Sequence, residues 1–175
     1  MGKVSPTERV KLIVGLISND DALLGKIGAK LENKLKNKID FESGVMGFDY
    51  TDYYNKEMGG SLKRKFLGFK KLVRLERIAK VKLLTNDIEK RFCTSGKRAV
   101  NIDPGYVDMA KLVLLSTKDY SHRVHIGNGI FAEVTLHYKN KRFESWPWTY
   151  PDYKSEEYAR IFGIIRDIYR HTRGA

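Results

Sequence analysis

Cysteine, proline, acidic residues and long apolar runs are all scarce in this 175-residue sequence, and each scarcity excludes something. Cys93 stands alone, so an intrachain disulfide and a Cys-based zinc site are both ruled out. The longest apolar run, Leu12–Ile17, falls far short of the ~20 residues that a membrane span needs. Lys3, Arg9 and Lys11 lead into that run without a small-residue cleavage site, so no secretory leader is read. An acylation pattern opening on Met1-Gly2 fails at Pro6, where Ser or Thr is required. These features lead us to expect a cytoplasmic protein that makes no use of a membrane. Asp and Glu number 21 against 33 Lys and Arg, which leaves a net charge of +12.

Several nucleotide and metal motifs are missing as well. Neither Gly-x-x-x-x-Gly-Lys-Ser/Thr nor Gly-x-Gly-x-x-Gly occurs. Asn37-Lys38-Ile39-Asp40 fits the pattern by which GTPases read guanine, but without a phosphate loop it reads as a chance match. No His-Glu-x-x-His helix is present. His122 and His125, three apart, could share a metal with Glu133, yet a structural or solvent-exposed role is the stronger reading. Cys93 is expected to be a small buried residue near a helix end.

What remains is the composition of a folded domain. Apolar residues make up 42% and aromatics 11%, which excludes a disordered chain. At this length, residues 1–175 are expected to form one domain that buries roughly 70% of the unfolded chain's surface. Val10–Ser18 reads as a strand, followed by a helix from Asp21 to Lys36 whose apolar residues recur at three and four. Ile39–Tyr50 reads as a second strand, Ser61–Leu72 as a short basic helix, and Leu75–Phe92 as a longer helix. Arg98–Ile102 reads as a strand ended by a turn at Asp103-Pro104-Gly105. The unbroken Lys111–Thr117 suits a strand covered on both faces. Ile130–Tyr138 alternates, with its even positions directed to a core and Glu133 and Thr135 sharing the other side. Arg142–Trp146 completes a hairpin, and Ser155–Arg170 is an amphipathic helix with Tyr158, Ile161, Phe162, Ile165 and Tyr169 inward. The expected class is α+β, with a mixed, largely antiparallel sheet covered by helices.

Charge is the strongest compositional signal. Residues 62–82 hold nine basic side chains against Glu76 alone, and so carry +8 of the +12. A concentrated positive field attracts polyanions, which points to a phosphate-bearing small molecule or RNA as partner. A second lysine cluster, Lys26 to Lys38, reads more readily as a solvated helix face. Four further segments break local rules. They are Tyr50–Gly60, dense in aromatics and acids; Lys82, Thr85, Asn86 and Glu89 on one helical face; Asn101–Tyr106; and Ser116–Lys118 leading to His122-Arg123. Trp146–Tyr153 adds four aromatics in eight residues, suited either to base stacking or to locking the last helix onto the sheet.

Together these segments resemble an uncharacterised prokaryotic family, domain-of-unknown-function family 4416. The likeness lies in Thr51-Asp52-Tyr53-Tyr54, Glu57-Met58-Gly59, Leu62 with Arg64 and Phe66, Lys82, Thr85-Asn86 and Glu89. It continues in Val100–Tyr106, Ser116-Thr117-Lys118, His122-Arg123, Glu133–Leu136 and Trp148–Tyr153, and so covers nearly the whole chain. His125 and His137 lie outside the pattern. The resemblance implies no established activity, although some members bear a GTP-binding label. The expected function is a binding protein or enzyme for a nucleotide-like, phosphate-bearing ligand, with non-catalytic RNA binding through residues 62–82 as the alternative. The candidate ligand-binding residues are Glu57, Arg64, Lys82, Asn86, Asn101, Lys118, Arg123, Tyr150 and Asp152. His122, Glu133 and Asp103 are the candidate catalytic groups, and the carboxylates are of the kind that hold Mg²⁺.

Overall fold

The structure is a computed structural model that describes residues 2–3 and 7–174. Met1 and Pro6, on which the acylation pattern was tested, lie outside the described residues. In chain order the elements are β1 (Lys11–Ser18), α1 (Asp21–Leu35), β2 (Ile39–Glu42), β3 (Met46–Gly47), α2 (Asn55–Met58), β4 (Lys63–Phe69), α3 (Ile78–Arg91), β5 (Cys93–Thr94) and β6 (Lys97–Arg98). Then come β7 (Asn101–Val107), β8 (Lys111–Ser116), β9 (Val124–His125), β10 (Phe131–Lys139), β11 (Arg142–Ser145) and α4 (Glu156–Arg173).

One sheet of order β11-β10-β8-β7-β1-β4-β2 organises the chain, with β3 joined to β4 and β9 to β10. Each pairing is antiparallel, so the parallel component expected of a mixed sheet is not found among the described residues. β1 lies near the middle and is buried along its whole length, as its near-continuous apolar run requires. Leu12, Val14 and Leu16 face one core, completed by Leu24, Ile27 and Leu31 of α1 and by Ile78, Val81 and Ile88 of α3. Ile13, Phe66, Val107 and Leu112 face the other, against Tyr158, Phe162 and Ile165 of α4. Helices therefore cover both faces of the sheet. No helix of the described residues is long and apolar enough to cross a membrane.

The helix starts follow their capping residues. Asp20 accepts the Leu23 N–H at the start of α1, and Ser155 accepts the Tyr158 N–H at the start of α4. The pattern Asn37-Lys38-Ile39-Asp40 is structural: Asn37 donates to the Lys71 carbonyl and accepts the Lys71 N–H, while Asp40 pairs with the buried Lys11.

Five sequence expectations are corrected. Residues 63–69 form β4, not a basic helix, because Arg64, Phe66 and Gly68 alternate with Lys63, Lys65 and Leu67 across a pleated strand. The expected strand 39–50 is two short pieces, β2 and β3, both hydrogen-bonded to β4. Asp103-Pro104-Gly105 is not a turn but the middle of β7. Cys93 is exposed on the β5–β6 hairpin, because α3 stops at Arg91. In β10 the register shifts between Val134 and Leu136. Ala132 and Val134 consequently pack on the α1 and α3 side and Leu136 on the α4 side, so the even positions do not share one core.

Candidate ligand-binding cleft

The site begins at a split in the sheet. β7 pairs with β1 from Asn101 to Val107, but with β8 only from Gly105 to Val107. The first half of β7 therefore presents a bare backbone edge where a neighbouring strand would otherwise lie. Two side chains of α3 occupy that edge: Glu89 accepts the Ile102 N–H at 2.5 Å, and Lys82 donates to the Ile102 carbonyl at 3.2 Å. Pro104, two residues on, faces the same way by strand alternation, and its missing N–H leaves no ladder bond unmade. Gly105 stands where the strands rejoin, and a Cβ there would collide with the Val113 carbonyl. The tripeptide that looks like a turn marks the mouth of the split.

The split opens into a cavity of about 520 Å³. Its floor carries Arg64, projecting inward from β4 and only 3% exposed. Asp152 meets this guanidinium through a single bond of 2.9 Å from Nη2. Nε and Nη1 have no partner among the described residues. The plane is held by rings: Phe48 at 4.9 Å, Phe66 at 5.4 Å and Tyr153 at 5.7 Å from its centre. Gly15 lies beneath it, and a Cβ at that position would stand 2.8 Å from Nη1. Burial pushes the Asp152 carboxyl upward in pKa, against the pull of Arg64.

A second cluster lies on β8 and β10. Glu133 is 2% exposed and accepts from Arg123 at 2.9 Å and from His122 at 3.1 Å. Arg123 also reaches the Ser116 hydroxyl, the Lys118 carbonyl and the Tyr150 hydroxyl, so one guanidinium ties four segments together. The third cluster centres on Arg98, which binds Glu57 at 2.6 Å and Asn101 at 3.0 Å and lies 3.7 Å from Glu89. Asn101 donates onward to Asp103, which Lys82 approaches to 3.5 Å. Burial raises the Glu89 carboxyl to about 7, opposed by Lys82 and assisted by Asp103. Four tyrosines stay exposed beside this polar floor: Tyr50 at 40%, Tyr53 at 57%, Tyr120 at 45% and Tyr150 at 44%.

Ten of the twelve sequence candidates line this cleft; Glu57 and His122 do not. Glu57 supports Arg98 from outside, and His122 sits behind Glu133, stacked on Trp148 with ring centres 6.0 Å apart. His122 is thus placed beside Glu133 rather than on the cleft lining. The carboxylates expected to hold Mg²⁺ each turn to a cation, and among the described residues no three ligating side chains converge. His125 is exposed and packs on Phe131. Glu89 and Arg98 complete the site without having been singled out as candidates. Glu89 shares its helical face with Lys82 and Asn86, a spacing signal that marked it in the sequence. Arg98 carries no such signal, since its partners are brought by folding.

The basic segment 62–82 is divided: five of its nine basic side chains, Lys70, Lys71, Arg74, Arg77 and Lys80, are exposed, and the other four are in ion pairs. Arg64 and Lys82 are buried in ion pairs, and Lys63 and Lys65 pair with Asp21 and Glu42. The aromatic run 146–153 divides likewise. Tyr153 is buried against Phe66 and Phe162, whereas Trp148 is 40% exposed and stacks on Trp146 at 5.2 Å.

A family model matches residues 8–169, described as a domain of unknown function, DUF4416. The chain belongs to that family. The match spans every strand of the sheet and all of the cleft. No curated protein and no solved structure matches the chain significantly.

Proposed function

We propose that the cleft binds a nucleotide-like, phosphate-bearing compound, as a ligand-binding protein or as an enzyme acting on it. One observation carries the proposal: Arg64 is buried and always charged, yet two of its N–H-bearing nitrogens lack an acceptor. A buried donor without a partner is costly, and buried polar groups in folded proteins are almost always satisfied. Both nitrogens are covered, Nη1 by Gly15, so an anionic oxygen in the cleft would reach them as the guanidinium turns toward it, and guanidinium geometry favours phosphate or carboxylate oxygens. The exposed tyrosines at the same cleft give an aromatic body something to stack on. Cavities of this size commonly hold small ligands, which bury most of their surface in pockets of ~300–1,000 Å³.

RNA binding through residues 62–82 draws less support, because four of its nine basic side chains, Lys63, Arg64, Lys65 and Lys82, are engaged in ion pairs, which leaves Lys70, Lys71, Arg74, Arg77 and Lys80 as its exposed cations.

The test is thermal stabilisation of the purified protein by a panel of nucleosides, nucleoside mono-, di- and triphosphates and sugar phosphates. At least one phosphate compound raises the melting temperature of the wild type and fails to raise that of Arg64→Met. A panel in which no phosphate compound stabilises the wild type overturns the proposal.

A further inference from the structure

Resting on the phosphate-ligand proposal above, the charge pattern of the cleft says which kind of phosphate compound it takes. Five cationic side chains line the cleft, and four of them already have a carboxylate within 4 Å: Arg64, Lys82, Arg98 and Arg123. Lys118 has no such partner among the described residues; its ammonium lies 3.3 Å from the Tyr53 hydroxyl and 4.7 Å from the centre of that ring. Four carboxylates, Glu89, Asp103, Glu133 and Asp152, line the same space. Although the chain as a whole carries +12, its cleft is close to electrically balanced.

We infer that the ligand is a nucleoside monophosphate or a compound of that type, with one phosphate monoester on an aromatic body, and not a nucleoside triphosphate. A monoester carries about −1.5 to −2 near neutral pH. The Lys118 ammonium, without a carboxylate partner, meets part of that charge, and the unsatisfied Arg64 nitrogens offer hydrogen bonds rather than further net charge. A triphosphate would bring further negative charge against four carboxylates whose cations are already engaged. Mg²⁺ brought by a triphosphate would relieve this repulsion through one or two carboxylates, but each of the four already faces a cation. The acidic groups thus select against long phosphate chains while the tyrosines accept the base.

Isothermal titration at matched ionic strength, without added Mg²⁺, tests this with the adenine, guanine, cytosine and uracil series. Each series comprises the nucleoside, the 5′-monophosphate and the 5′-triphosphate, and ribose 5-phosphate is a separate arm. At least one monophosphate binds tenfold or more tightly than both its nucleoside and its triphosphate. Lys118→Gln, an exposed change that leaves the fold intact, weakens that monophosphate several-fold and leaves the nucleoside unchanged. A triphosphate that binds as tightly as its monophosphate overturns the inference and leaves the broader proposal standing. Equal binding of nucleoside and monophosphate overturns it too, as does binding of ribose 5-phosphate alone. If no phosphate compound binds, the proposed function and this inference fall together.

Discussion

Lys11 and Arg64 are both buried cations, and strand alternation places both on the α4 face of the sheet, yet they are finished differently. Lys11 donates to both oxygens of Asp40 at 2.6 Å, a carboxylate partly exposed on the edge strand β2. Arg64 has one bond to Asp152 and two nitrogens left over, and the pair looks into a cleft. The first arrangement neutralises a charge. The second neutralises it while keeping donors free, which costs stability and is retained where something else is to be bound.

The most forceful way to break this comparison is to remove each carboxylate. Asp152→Ala leaves a guanidinium that cannot shed its proton in a buried site, and should cost about 3–5 kcal/mol. Asp40→Ala should cost less, because burial already lowers the pKa of Lys11 and the freed amine can become neutral. Urea denaturation of both variants checks the order, and a larger loss for Asp40→Ala would show that Arg64 is not the strained partner.

The next effect in size concerns Glu89, whose carboxyl rises from 4.5 to about 7 on folding. Between those values the folded chain holds more protons than the unfolded one, so stability falls as pH rises through the window, by about 3 kcal/mol in all. Glu89→Gln keeps an oxygen for the Ile102 N–H and removes the titration. Stability measured at pH 5, 6, 7 and 8 should show the variant gaining on the wild type as pH rises. Parallel profiles would mean that Glu89 is not held protonated by the fold.

Gly15→Ala is the subtlest of the three. The new methyl would press on Arg64 Nη1 at 2.8 Å and on Phe66 Cε1 at 3.1 Å, and overpacking of this kind costs about 1–3 kcal/mol. Because the guanidinium must move, stabilisation by phosphate compounds should drop by more than the folding loss alone would produce. A variant that loses stability and retains full ligand response would show that the position of Arg64 is not fixed by Gly15.

The same contrast explains what could be read in the sequence. β1 was legible as a near-continuous apolar run, and α1, β10 and α4 because their apolar residues repeat at the period of the element. β4 was hidden because an arginine occupies an inward position that patterning reserves for an apolar residue. β7 was hidden by Asp103, Pro104 and Gly105, each of which breaks a strand rule for the sake of the split. These two misread segments lie at the cleft, where local rules give way to the site. Most candidate residues nevertheless line one cleft, and they stood out in the sequence as polar groups in rule-breaking stretches. Arg98 escaped, and so did the placing of His122 behind Glu133, because both depend on contacts between distant segments.

The central claim is that Arg64 keeps its free N–H groups for an anion, and arginine side-chain NMR reads it directly. The Arg64 Nε–H resonance is assigned by its disappearance in Arg64→Met and followed while inorganic phosphate is added at constant ionic strength, with chloride as control. It should shift saturably with phosphate, in step with stabilisation of the fold. A resonance that moves no further in phosphate than in chloride would contradict the account.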